Sequence, residues 1–162
     1  MIRICFVCLG NICRSPMAEG VFKHLADEAG LGDRFHIESA ALGPWHVGEL
    51  ADSRARQTAA AHGVRLDGTA QQVKPKDFAR FDLLIAMDDE NVTALRRLAP
   101  AERNRQKIRL LREFDPEANG DTSVPDPYYG TRRDFEEVYQ MVERSCRGLL
   151  EEIKRQGLEV GD

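Results

Sequence analysis

The sequence contains no apolar run approaching the ~20 residues that cross a bilayer, so a membrane span is not expected. It also lacks a basic excess: 23 Lys and Arg stand against 27 Asp and Glu, and the net charge of −4 argues against a nucleic-acid binder. Cysteine is scarce. Four residues, Cys5, Cys8, Cys13 and Cys146, are too few for a disulfide scaffold and fit a reducing, cytoplasmic compartment. The histidines, His24, His36, His46 and His62, are scattered and offer no pair at metal-ligand spacing. No repeat, low-complexity tract or linker divides the chain, whose 162 residues suit one domain over 1–162 with a sizeable core. The opening Met-Ile-Arg-Ile-Cys reads as strand, too short and wrongly flanked for a signal peptide.

What is present is an alternation of strand-like and helical patterns. Residues 2–7 are a first apolar run. Residues 15–29 read as a helix with Val21, Phe22 and Leu25 on one side, ended by Gly30 and Gly32. Residues 35–41 give a second strand, leading into a loop around Gly43-Pro44-Trp45. Ser53 reads as the N-cap of a helix running to His62, with Gly63 beyond its C-terminus. Residues 81–87 form the clearest buried strand, followed by a helix over 88–98 that Pro100 closes, and 107–111 give another strand. The last helix starts near Thr131. Its Phe135, Val138, Tyr139, Val142, Cys146, Leu149, Leu150 and Ile153 keep an amphipathic spacing. This order predicts an α/β fold, a parallel sheet with helices on both faces and right-handed crossovers. Ligands of such sheets bind beyond the carboxyl ends of the strands, where Cys8 falls. Residues 113–130, rich in Pro, Asp and Gly, are the longest irregular segment, and loops of that length are often functional.

Chemistry concentrates in Val7-Cys8-Leu9-Gly10-Asn11-Ile12-Cys13-Arg14-Ser15-Pro16-Met17-Ala18-Glu19. Gly10 and Asn11 both tolerate positive φ, so Leu9, Gly10, Asn11, Ile12 and Cys13 can turn their N–H groups inward as an anion nest. The dipole of the helix behind reinforces it, and Pro16 suits the first helical turn. Arg14 can clamp two oxygens of a tetrahedral anion. A helix N-terminus and a nearby cation activate a thiol as a nucleophile, the role these surroundings offer Cys8. Ser15 is placed to hydrogen-bond the thiolate. Phosphoryl transfer is the reaction these residue types fit. Cys5 and Cys8 form a Cys-x-x-Cys pair, but Cys5 lies within the strand and reads as core. Cys13 admits two readings: a partner that captures oxidised Cys8 as a disulfide, or a supplier of a loop amide.

Expelling an alkoxide or phenolate needs a proton donor. Asp126, stiffened between Pro125 and Pro127, is the best placed; Asp115 reads as a turn former. Asp88 either caps the following helix or braces the phosphate loop, with capping the commoner role. Trp45, Tyr128 and Tyr129 stand on loops at the active edge and can wall a slot for a planar aryl phosphate.

These pieces, together with Ser39-Ala40-Ala41, Trp45-His46-Val47-Gly48, Phe81-Asp82, Met87-Asp88 and Asp126-Pro127-Tyr128-Tyr129-Gly130, resemble the low-molecular-weight protein tyrosine phosphatases and appear in that family's order. The resemblance implies three layers around a four-stranded parallel sheet of order 2-1-3-4. It implies a phosphocysteine on Cys8, phosphate bound by Arg14 and the loop amides, assistance from Ser15, and Asp126 as acid and then base. Asn11 would hold the loop in shape, with Ser39 bracing Asn11. No metal or organic cofactor is implied. The implied partners are tyrosine-phosphorylated proteins and a cognate tyrosine kinase, and the implied assembly is a monomer or weak dimer.

Family members often carry a His that contacts the loop Asn. Here His62-Gly63 is followed by Leu66-Asp67-Gly68, so that support must come from elsewhere, with Ser39 a candidate. Arsenate reductases of similar fold use further cysteines on a helix over 88–98, which has none. Protein arginine phosphatases resemble the chain in loop and acid but tend to carry Thr at Ile12, which favours phosphotyrosine. A non-catalytic phosphotyrosine-binding module would be expected to lack one of Cys8, Arg14 or Asp126.

Overall fold

In the computed structural model, which describes residues 1–157, four parallel strands form one sheet: β1 (Ile2–Cys8), β2 (Phe35–Ala41), β3 (Leu83–Ala86) and β4 (Ile108–Leu110). Their order is β2-β1-β3-β4, with Ile2 opposite Phe35, Ile4 opposite Leu83 and Leu84 opposite Ile108. Among the described residues, five α-helices surround the sheet: α1 (Arg14–Glu28), α2 (Ser53–Ala61), α3 (Asp89–Leu98), α4 (Glu102–Arg105) and α5 (Arg132–Arg155). The expected order and alternation hold.

β1 is a nearly unbroken apolar run because both its faces are covered. Ile4 and Phe6 on one face, with Ile85 of β3, meet Met17, Val21 and Phe22 of α1 and Val138, Tyr139 and Val142 of α5. Cys5 and Val7 on the other, with Leu84 and Ala86, meet Phe78, Phe81 and the α3 residue Leu95. Cys5 is core, as its strand position predicts. α5 approaches so closely that a side chain at Gly148 would strike the Phe114 carbonyl.

The structure moves several boundaries. β1 runs through Cys8, because the Cys8 carbonyl accepts from Leu42 N at 3.0 Å and Cys8 pairs with Ala41. The thiol therefore sits on the last strand residue, not on the loop. α1 begins one residue early, at Arg14. β3 is shorter than 81–87, since Asp82 bonds Arg3 N at 2.8 Å at its start. β4 keeps only the middle of 107–111. The N-cap of α2 is Asp52, whose carboxylate accepts from Arg54 N at 2.8 Å; Ser53 is the first helical residue. A carboxylate competes well for that place against the positive end of the helix dipole. Thr131 caps α5 in a reciprocal box with Asp134. No helix among the described residues is long and apolar enough to cross a membrane.

Candidate active site

The phosphate-sized turn begins where β1 ends. After Cys8 the chain reverses over five residues and enters α1 at Arg14, and the reversal needs one left-handed residue. Asn11 takes it, at φ 59°, while Gly10 is not in that region. Gly10 is needed for space instead: a Cβ there would press against the His46 ring at 3.2 Å.

Asn11 N donates to Cys8 Sγ at 3.3 Å, and Ser15 Oγ lies 3.0 Å from the same sulfur. Asn11 Nδ2 donates to Ser15 Oγ at 2.7 Å, so the Ser15 hydroxyl hydrogen is free to point at the sulfur. Nδ2 also donates to Ser39 Oγ at 3.0 Å, and Ser39 Oγ donates in turn to Glu19 Oε1 at 2.5 Å. Asn11 Oδ1 accepts from Gln71 N at 3.1 Å. That acceptor role and the Ser39–Glu19 bond together fix the orientation of the amide. Asn11 is thus braced by Ser39 as expected, and also by Ser15 and Gln71. His62 faces elsewhere, stacked on Tyr139 at 4.2 Å and paired with Glu136 at 2.9 Å.

Arg14 is buried on the opposite wall. Its Nη1 donates to Asp88 Oδ2 at 2.6 Å and to the Val124 carbonyl at 3.0 Å, and Nη2 lies 3.8 Å from Asp126 Oδ2. Burial opposes the guanidinium charge, but Cys8, Asp88 and Asp126 outweigh it and hold Arg14 above its ordinary range. The two readings of Asp88 are both realised, on separate oxygens: Oδ1 accepts from Asn91 N at 2.8 Å to cap α3, while Oδ2 braces Arg14.

Asp126 arrives from the long loop. Val124 N donates to the Met87 carbonyl at 2.8 Å, stitching that loop to the carboxyl end of β3. Tyr128 N donates to Asp126 Oδ1 at 3.1 Å, leaving Oδ2 toward Arg14. A cavity of about 250 Å³ results, lined by Cys8, Leu9, Gly10, Ile12, Cys13, Arg14, Trp45, His46, Asp126, Tyr128 and Tyr129. Asn11 does not line it: its side chain points away, into the bracing network. Trp45 is 64% exposed and stands where any side chain at Gly43 would collide with its ring. Tyr128 is half-buried and meets Tyr129 edge-on at 4.9 Å, whereas Tyr129 is 97% exposed and contributes only its rim.

All four cysteines are free. Burial, with Asp52, Asp126 and Cys8 adding to it, pushes the Cys13 thiol well up, so Cys13 stays protonated beside Cys8. Asp115 does form the expected turn, accepting from Glu117 N at 2.8 Å. It is also the buried acceptor of Arg112 Nε at 3.1 Å and Arg144 Nε at 3.1 Å, which fastens the start of the long loop to α5.

His46, Glu19, Gln71 and Arg54 escaped the sequence reading. Glu19 carried a signal, because it lies four residues after Ser15 on one face of α1. Gln71 reaches Asn11 through its backbone N–H, which no sequence pattern marks.

The family model described as low molecular weight phosphotyrosine protein phosphatase matches residues 3–159. A Streptomyces coelicolor low molecular weight protein-tyrosine-phosphatase is 52% identical over 155 residues, 95% of this chain and 94% of that one. The crystal structure of a protein tyrosine phosphatase from Entamoeba histolytica superposes with a TM-score of 0.92 at 36% identity, covering 97% of this chain and 99% of that chain. A Drosophila arginine phosphatase superposes with a TM-score of 0.88 at 32% identity, covering 94% and 98%. On sequence and fold together, the chain belongs to the low molecular weight phosphotyrosine protein phosphatase family.

Proposed function

We propose that this chain hydrolyses phosphotyrosine in proteins through a phosphocysteine on Cys8. The observation that carries the reading is convergence: Cys8, Arg14 and Asp126 meet at one cavity whose rim is aromatic. The phosphate dianion sits against the loop amides and Arg14. Cys8 sulfur attacks phosphorus as the bond to the aryl oxygen breaks, and Asp126 Oδ2 delivers its proton to the departing phenolate. Asp126, now a carboxylate, takes a proton from the water that attacks the phosphocysteine. The sulfur leaves as thiolate, stabilised by the Ser15 hydroxyl and Asn11 N–H, and inorganic phosphate is released.

Trp45 and Tyr128 support an aryl substrate by offering flat faces to a ring, and Ile12 gives the floor an apolar contact. The likeness to a Drosophila arginine phosphatase keeps phosphoarginine as the second reading. The test is turnover of p-nitrophenyl phosphate at mildly acidic pH under reducing conditions, followed by matched phosphotyrosine, phosphoarginine and phosphoserine peptides. Phosphotyrosine is expected to be hydrolysed fastest. A reduced, folded protein without turnover would rule out the enzyme, and a faster phosphoarginine peptide would replace the substrate.

A further inference from the structure

We infer that Asp52 and Arg54, neither among the cavity-lining residues, form the strut that sets the acid loop at its working distance from the phosphate loop. The inference rests on the phosphatase reading. Asp52 N donates to the Ile12 carbonyl of the phosphate loop at 2.8 Å. Its carboxylate accepts from Arg54 Nε at 3.1 Å and Nη2 at 3.0 Å, and those bonds hold the Asp52 carboxyl below its usual range. Arg54 then reaches across to the acid loop: Nη2 donates to the Tyr128 carbonyl at 2.9 Å and Nη1 to the Gly130 carbonyl at 3.5 Å. Its guanidinium also lies 5.5 Å from the Tyr128 ring centroid and 4.6 Å from that of Phe135 on α5.

The last link reaches the acid itself. Tyr128, held by its carbonyl, donates its N–H to Asp126 Oδ1. The path from Ile12 through Asp52, Arg54 and Tyr128 to Asp126 is therefore continuous and made of direct bonds. With Oδ1 engaged, the transferable proton belongs on Oδ2, the oxygen facing Arg14. Upstream of Asp126 the loop is anchored separately, at Val124 on Met87 and Arg14. Only the downstream half depends on Arg54. The planar fork is essential, because one edge meets Asp52 while the end nitrogens meet carbonyls; a lysine ammonium cannot do both.

Arg54 is thus a positioning residue for proton transfer, and it leaves Cys8, Arg14 and the phosphate loop in place. The test compares kcat/KM for phenyl phosphate, whose leaving group needs the proton, with 2,4-dinitrophenyl phosphate, whose leaving group does not. Arg54→Gln should lose about tenfold or more on phenyl phosphate and less than about threefold on the dinitrophenyl ester, since small displacements of a catalytic group are costly only where that group acts. Inhibition by inorganic phosphate should be unchanged. In an Asp126→Asn background, Arg54→Gln should add little further loss, because both changes remove the same contribution. Arg54→Lys should behave as Arg54→Gln, and it carries the same comparison if the glutamine variant does not fold. Equal losses on both esters, no loss, or full additivity with Asp126→Asn would overturn the inference. A wild-type protein inactive on both esters would instead overturn the phosphatase reading beneath it.

Discussion

At the scale of single residues, the site separates two thiols that bracket one short loop. Cys8 receives Asn11 N–H and has the Ser15 hydroxyl within 3.0 Å, so negative charge on its sulfur is solvated by fixed donors. Cys13 is buried, and burial keeps its proton on. Alkylation with iodoacetamide at neutral pH, followed by peptide mass mapping, is expected to modify Cys8 well before Cys13. Comparable rates would contradict this assignment of charge. Replacing the nucleophile makes a complementary case. Cys8→Ser should abolish turnover while keeping inorganic phosphate binding, since the loop amides and Arg14 remain. Turnover near that of the wild type would remove Cys8 from its role.

At the scale of elements, the machinery is delivered by helix ends. α1 brings Arg14 and Ser15 in its first turn, α2 brings the Asp52–Arg54 pair, and α3 is capped by the same Asp88 that holds Arg14. Helix N-termini carry N–H groups without helical partners, so polar side chains gather there. α5 closes the loop that carries Asp126. Its capping box joins Thr131 N to Asp134 Oδ2 at 2.7 Å and returns Asp134 N to Thr131 Oγ1 at 3.4 Å. Thr131→Ala should cost about 1 kcal/mol in urea unfolding, the usual value of a lost N-cap. An unchanged midpoint would mean the box contributes nothing here.

For the whole molecule, the decisive buried charge is Asp115, whose side chain is inaccessible between Arg112 and Arg144. Burial alone would raise its carboxyl, but the hydrogen bonds from Arg144, Glu117 N and Arg112 outweigh that and hold it below the usual carboxylate range. The unfolded chain therefore takes up this proton first as pH falls. The stabilisation is complete above the unfolded value and disappears as pH drops through the lower folded one. Asp115→Asn should destabilise the protein by about 3 kcal/mol at neutral pH, because it takes the buried carboxylate from Arg112 and Arg144 and leaves them only the exposed carboxylates of Asp121 and Glu117. It should also flatten the loss of stability as pH falls below the ordinary carboxylate pKa of about 4. Denaturant unfolding of both proteins at pH 7 and in that acid window measures both effects. Parallel acid profiles would place the titration elsewhere.

The alternation of β and α patterns, the turn from Cys8 to Arg14, the start of the last helix near Thr131 and the apolar stripe of α5 could all be read directly from the chain. Each depends on neighbours within a turn or two, and local sterics and periodicity decide such features. Asp126 was legible as a stiffened acid between prolines, though not its distance from Arg14. Tertiary structure decided that distance, the double duty of Asp88, the displacement of the α2 cap to Asp52, and the burial that silences Cys13. It also decided that Asn11 would be held by Gln71 and that Arg54 would reach Tyr128, 74 positions away. Bonds to backbone groups carry no side-chain signature. Burial and charge balance are set by every element packed around a group, so a linear reading sees the donors and acceptors but not their pairing.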